Sequence, residues 1–509
     1  MTTGTASAPT ALRSLIPARI DRLPWSPFFT RMVGALGIAW ILDGLEIQIA
    51  GIVVPTLTDR STLHLSGGAV GAVASVYLLG EVVGALVFGK LSDRLGRRNL
   101  FMVTLAIYLI GSGLTAATLG SGPGWVTFLY LTRFVAGIGI GGEYAAINSA
   151  IDEMMPARFR CRVDIAVNGT YWAGALLATF AQLLLFSNLS KGLAWRVGFL
   201  IGPVLGLVVL VVRRSLPESP RWLIMRGREQ EAEQEIRRME RWVGENSTHA
   251  LPAVDESKAI DIVPSGELGY RTLLGVLLKE MPGRCVLGAS LMITQSFLYN
   301  AIFFTYGLVL KQFYGVSNTS LPYYFIAFAL GNLAGPLLLG HLFDTIGRRK
   351  MISGTYLLSG ALLLVTAMMF QAGALSALTQ TLCWSVIFFF ASAGASAAYL
   401  TVSEIFPIEV RAKAIAVFFA IAQGFGALGP VIYGNLVGDG KSTGRLFVGY
   451  LLGATVMLLG GVVAAVFAVA SEGRSLEEVA LPLTSASRIL PAYPAGPTTT
   501  HPIAGRVTP

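Results

Sequence analysis

Charge is what this sequence has least of. Only 13% of its 509 residues are Asp, Glu, Lys or Arg, where a soluble protein carries roughly a quarter. Histidine and cysteine are also scarce, at 4 and 3. Cys161, Cys285 and Cys383 lie far apart and are odd in number, so neither a disulfide framework nor a cysteine metal site is expected. The chain has no phosphate-cradling glycine loop, no metal-spaced His/Cys cluster and no nucleophile–base signature, which argues against an enzyme and against a bound cofactor. Residues 1–30 contain no uninterrupted apolar core and do not read as a cleaved signal peptide.

What is there is hydrocarbon. Hydrophobic residues make up 54%, and the mean hydropathy is +0.65. Twelve apolar runs occupy 31–56, 68–89, 99–120, 124–150, 163–187, 193–214, 283–310, 320–342, 350–371, 375–402, 412–436 and 443–470. A run of about 20 residues spans the ~30 Å hydrocarbon layer as a helix, so the fold class is an all-α membrane protein with twelve crossings. The formal net charge of +9 is concentrated in the loops at 90–98, 156–162, 341–350 and 407–413. By the positive-inside rule these loops and both termini face the cytosol. The basic residues thus set topology, and no nucleic-acid partner is implied. Short loops and much Ala, Gly and Arg suit a bacterial inner membrane.

The sequence repeats itself. GKLSDRLGRR begins at Gly89 and GHLFDTIGRR at Gly340, an offset of 251. The same offset superposes Glu153 on Glu404, Pro156 on Pro407 and Arg160 on Arg411. Six crossings, an even number, separate the copies, so both face the same side, as in a parallel repeat of two six-helix bundles. The organisation reads as a cytosolic tail at 1–30, bundles at 31–214 and 283–470, a charged cytosolic linker at 215–282, and a tail at 471–509. EQEAEQEIRRMER within the linker reads as a solvated helix of mixed charge, and the Pro- and Thr-rich end reads as disordered.

With these motifs the chain resembles the major facilitator superfamily. Gly-x-x-x-Asp-x-x-Gly-Arg-Arg between crossings two and three is similar to that family's signature loop. PESPRWL at 217–223, SEIFPIEVR at 403–411 and EGRSLEEV at 472–479 resemble its sugar-porter branch. The resemblance covers residues 31–480. It implies a cytosolic gate in which Arg97, Arg98 and Glu153 pair with Glu218 and Arg221, matched in the second half by Arg348, Arg349, Glu404, Glu472 and Arg474. Asp93 and Asp344 sit where a carboxylate can face helix N-termini or guanidinium groups. Alternating access requires contacts made in one state only, and such a gate supplies them.

ILDGLEIQIAG, at 41–51, places Asp43 and Glu46 inside an otherwise apolar crossing. At about 1.5 Å per residue both lie ~18–22 Å into the membrane, and three residues apart they share a helical face. A charge there costs ~2.5–3.5 kcal/mol on insertion scales and so calls for a cavity or a partner. Arg133 in crossing four reaches the same depth, whereas Glu81 and Glu143 read as nearer the cytosolic end. Two carboxylates against one guanidinium leave a surplus negative charge that a proton can neutralise. Family resemblance matches Asp43 to the proton-coupling aspartate of sugar porters and Arg133 to its partner. DGLE is similar to the Asp-Gly-x-Asp of organic-acid symporters, with Glu46 as the second acid.

Crossing seven keeps Gln295 and Asn300 at the spacing that sugar porters use to bind hydroxyl groups. It departs from that pattern at Thr294 and Leu298, and Tyr399 stands where a tryptophan is common. Tyr171, Trp172, Gln295, Asn300, Tyr399 and Gln423 are the candidate pocket. Arg133 suits a carboxylate ligand once the acids are protonated. The expectation is a monomeric proton-coupled symporter of a small polar metabolite, an organic acid before a hexose. A sugar symporter, a proton-independent facilitator and a non-transporting nutrient sensor are the alternatives.

Overall fold

The structure, a computed structural model, describes residues 12–53, 57, 61–65, 67–213, 218–246, 250–262, 269–316, 320–437 and 442–481. A strand, β1 (Leu12–Ser14), and a short helix, α1 (Ile16–Asp21), precede the first crossing, α2 (Pro27–Val53). One long element, α3 (Gly67–Ala116), holds crossings two and three, and α4 (Pro123–Met154) is the fourth. Helices α5 (Ala157–Gly169) and α6 (Tyr171–Asn188) make the fifth, and α7 (Lys191–Arg213) the sixth. The linker holds α8 (Pro220–Met225), α9 (Glu229–Glu245), β2 (Ile260–Ile262) and α10 (Tyr270–Glu280). The second bundle comprises α11 (Pro282–Tyr314), α12 (Leu321–Leu339), α13 (Leu342–Thr345), α14 (Arg348–Gln371), α15 (Ala377–Glu404), α16 (Ile408–Gly426), α17 (Leu428–Val437) and α18 (Thr443–Phe467), followed by α19 (Leu476–Val479).

Nine helices among the described residues are each long and apolar enough to cross a membrane. The other three crossings expected from sequence, at 68–89, 163–187 and 412–436, fall on α3, on α5 with α6, and on α16 with α17. The bundle is an all-α membrane fold whose outer faces carry exposed Leu79, Val83, Leu184, Val204, Leu337 and Val462, as a lipid solvent demands.

The repeat is visible in the backbone. Gly96 (φ +78°) breaks α3 between crossings two and three, and Gly347 (φ +106°), 251 residues later, ends the equivalent turn before α14. Both positions need a residue without a Cβ. Packing repeats as well: a Cβ on Gly84 would strike the carbonyl of Ile138, and one on Gly335 that of Phe389. All four positions share the 251-residue offset. Small residues therefore set the separation of crossings two and four and of eight and ten, as membrane helix interfaces require. The halves meet where α3 packs on α16, α5 and α6 on α12, and α4 on α15.

Residues 12–22 dock onto the linker. β1 pairs antiparallel with β2, Leu12 opposite Ile262. Arg19 forks onto Glu240 at 2.9 and 2.5 Å and reaches Glu233 at 2.6 Å. Arg22 also donates to Glu240. The solvated linker helix α9 thus has a charged face holding α1 and an apolar face burying Ala232, Ile236, Met239 and Val243. Burial alone would raise the Glu240 carboxyl, but hydrogen bonds from Arg19 and Arg22 hold it below its ordinary value.

Candidate functional site

Glu46 and Arg133 form a buried pair, Arg133 Nη1 to Glu46 Oε1 at 3.1 Å, with side chains 0% and 2% exposed. The guanidinium lies 4.2 Å from the Tyr77 ring centroid and 5.0 Å from that of Phe199, so aromatic faces shield it where water cannot. Ser112 Oγ donates to the same Glu46 oxygen. Gly202 leaves room for Oε2: a Cβ there would lie 2.6 Å from it. Asp43 is buried three residues away. The glycine between the acids has its own reason, because a Cβ on Gly44 would collide with the backbone of Tyr171. α6 thus packs directly against α2 at the height of the two acids. The resemblance matched Arg133 to Asp43; in the structure Glu46 lies against the guanidinium, and Asp43 is buried on the same helix.

The pocket candidates come together across the two halves. Gln295 Nε2 donates to Tyr399 Oη at 2.6 Å. Asn300 Nδ2 donates to Ser296 Oγ at 3.1 Å, and Ser296 Oγ donates to Gln423 Oε1 at 3.2 Å. Tyr171 and Trp172 touch edge to face, and Trp172 reaches Tyr299 of α11 with ring centroids 5.8 Å apart. Sequence reasoning missed the aromatic bridge beside them. Tyr144 of α4 stacks on Phe419 of α16 at 4.3 Å, lies 4.7 Å from Tyr399 and packs edge-on against Trp40. It also missed Glu81, whose carboxylate accepts from Gln423 Nε2 across the interface between the halves. Glu81 is no bystander at the cytosolic end. An acid in an apolar crossing was signal enough to name it, and its estimated depth hid its partner.

Residues of the repeated loop motifs gather into a buried ion-pair cluster. Arg160 Nη1 lies 3.3 Å from Glu404 Oε1, both fully buried, and joins the first half to the second. Arg348 also pairs with Glu404, donates to Ser471 Oγ at 2.7 Å, and lies 3.9 Å from Asp344. Arg221 Nη1 caps α4 by donating to the carbonyls of Asp152 and Glu153, at 3.1 and 3.2 Å, while its Nε faces Glu477 at 3.2 Å. Asp21 accepts from Ala157 N at 3.0 Å and lies 3.5 Å from Arg221, so α1 belongs to this cluster. Glu218 accepts from the backbone N–H of Arg98 at 3.3 Å, where the chain resumes after Gly96. Glu472 sits beside Gly347 in the same manner. Glu153 is buried, and Arg411 is buried with one donor on the Phe406 carbonyl at 3.2 Å. Arg98, Arg349 and Arg474 are exposed, with Arg349 Nε on the carbonyl of Ala465 at 2.7 Å. The side chains of Asp93 and Arg97 lie outside the described residues. Position explains the division: the first arginine of the second-half turn, Arg348, points inward, and the next faces water. Ser471 and Glu477, to which the resemblance assigned no role, belong to the same cluster.

Comparison with known proteins agrees with this geometry. Residues 52–481 match the family described as sugar (and other) transporter. The niacin transporter NiaP of Acinetobacter baylyi is 25% identical, over 91% of this chain and 99% of its own length. The putative metabolite transport protein YdjK of Escherichia coli is 30% identical, over 91% of this chain and 96% of its own. Among solved structures, the proton:xylose symporter XylE bound to 6-bromo-6-deoxy-D-glucose superposes with a TM-score of 0.74 at 20% identity, covering 88% of this chain and 98% of that one. The inward open conformation of XylE from E. coli gives a TM-score of 0.63 at 20% identity, covering 89% and 98%. The two-bundle fold, the buried ion-pair cluster at the repeated motifs and a family match over most of the length lead to one conclusion: this chain belongs to the sugar (and other) transporter family of the major facilitator superfamily, multi-pass membrane carriers and not enzymes.

Proposed function

We propose that the protein is a proton-coupled symporter of a small polar metabolite, working by alternating access in a bacterial inner membrane with both termini in the cytosol. It acts as a monomer, with bundles at 31–214 and 283–470 rocking about a central site. The observation that carries this reading is the Glu46–Arg133 pair, buried at 3.1 Å, with a second acid, Asp43, three residues away. A proton arriving on one of these acids removes the charge that holds the guanidinium. Arg133 is then released from Glu46, and the packing of crossings one, four and six changes with it. A buried pair suits such a switch, because breaking it is costly while both partners are charged.

The gate supports the same cycle. Its buried bonds between the halves, Arg160–Glu404 and Arg221–Glu477, belong to the state with the cytosolic side closed. They must part when the site opens inward.

For the substrate, the chamber offers rings and amides with few free charges. An organic acid taken in with its proton suits it better than a hexose, since Arg133 becomes available only after Glu46 is neutralised. Relatives whose names include niacin, glucose and D-xylose make niacin and D-xylose the two probes of choice. In proteoliposomes, an inward proton gradient should drive accumulation of the transported probe. Glu46→Gln and Asp43→Asn should abolish accumulation while counterflow survives. Equal loss of accumulation and counterflow would make the pair structural, and accumulation without a gradient would favour a facilitator. Binding without counterflow would favour a sensor.

A further inference from the structure

Glu81 has no part in the proton switch above, yet it lies where the two halves face each other. It is 1% exposed. Gln423 Nε2 serves its Oε2, and no hydrogen-bond partner meets its Oε1 among the described residues. An ionised carboxylate oxygen left bare in a buried site is costly, and such sites exist where a ligand completes them. The surroundings indicate which ligand. Tyr171 and Tyr399, both half-buried, lie within electrostatic reach of Glu81. Gln295 and Asn300, the groups that would bind a polyol, are already bonded to Tyr399 and Ser296. A ligand rich in hydroxyls would have to break those bonds, whereas a flat ligand with one donor need not. An anionic ligand would meet the carboxyl of Glu81, with Arg133 engaged by Glu46.

We propose that Glu81 is a substrate-contacting carboxylate, whose free Oε1 accepts a hydrogen bond from an N–H or O–H on the edge of a small, uncharged planar ring lying against Tyr171 and Tyr399. Gln423 holds the other oxygen and fixes the carboxylate plane. A weak acid carrying its proton, a carboxamide and a hydroxylated ring share this chemistry. The inference rests on the reading of the central chamber as the substrate path, and deepens it by naming the acceptor and the ligand class.

The test uses the purified full-length protein and two aromatic amides of which only the first carries an N–H donor, benzamide and N,N-dimethylbenzamide, with binding followed by equilibrium dialysis. The wild type should bind benzamide about tenfold more tightly, the size of one hydrogen bond to a charged group. Glu81→Met, which keeps the volume and removes the acceptor, should make the two probes equal. Glu81→Gln should keep part of the preference, and it serves alone should the methionine variant not fold. Equal binding of both probes by the wild type would overturn the proposal. So would a preference unchanged in either variant, or binding of neither probe. Proton coupling is judged separately by the Glu46 variant, so one reading can fail without the other.

Discussion

The two halves share a backbone plan and differ in what they bury. Shifted by 251 residues, Gly84 falls on Gly335, Gly96 on Gly347 and Glu153 on Glu404; the structure repeats the geometry of the glycines and buries both acids. The same shift carries Asp43 onto Thr294, Glu46 onto Phe297, Glu81 onto Asn332 and Arg133 onto Trp384. Where the first bundle holds an ion pair, the second holds Trp384 against Tyr306 and Tyr450, with centroids 5.0 and 6.0 Å apart. Where the first has the acid Glu81, the second has Asn332, bonded to Tyr299 at 3.0 Å. Backbone contacts set by glycine are common to both halves because both must build the same bundle. At these four positions the ionisable side chains belong to the first half, so in this account the proton switch acts there and the second half supplies neutral contacts.

The sharpest way to break this comparison is to alter equivalent core positions. Arg133→Met strands Asp43 and Glu46 without a cation, and should destabilise the protein by about 3–5 kcal/mol. Its melting temperature should become strongly pH-dependent. Trp384→Phe at the matching place should melt without new pH dependence, and a matching dependence would erase the distinction. Next in size is the gate, which both halves share. Glu404→Gln weakens the bonds from Arg160 and Arg348 and should favour the inward-open state. In a Ser403→Cys background, alkylation from the cytosolic face should rise about tenfold or more. Unchanged labelling would mean that the gate is held elsewhere.

Smaller effects are expected at the surface. The Glu240 carboxyl lies below its ordinary value in the folded protein, so it stabilises the docked α1 above the unfolded carboxylate range of about 4.3. That contribution disappears as pH falls through the folded value. Hydrogen exchange in residues 16–21 should therefore accelerate on acidification, and Glu240→Gln should give the fast rate at neutral pH. The smallest effect belongs to exposed Arg349. Arg349→Ala should shift stability by under about 0.5 kcal/mol, far less than Arg348→Ala, measured by the same melt.

Hydropathy and the duplicated loop motif made the bundle legible, since both follow from the lipid solvent and from a repeated turn chemistry. Asp43, Glu46 and Arg133 were legible because a charge in hydrocarbon demands a reason. The direct contact of Glu46 with Arg133 was not, because acids three residues apart share a face and only tertiary packing sets which contacts each one makes. Glu81 was visible as an acid, but its partner Gln423 is 342 residues away and belongs to the other half. No spacing rule links them. Tyr144 and Phe419 carry no charge and fall in no quoted motif, so nothing in the sequence singles them out. The docking of α1 on α9 was equally hidden, since Arg19 and Glu240 read separately as solvated charges.

The most direct test of a proton switch confined to the first bundle is proton movement itself. In de-energised vesicles with unbuffered outside medium, adding the transported probe to the wild type should alkalinise the exterior as protons enter with it. Glu46→Gln should exchange labelled probe with no pH change. A persisting alkalinisation in that variant, at the wild-type ratio of protons to probe, would contradict the account.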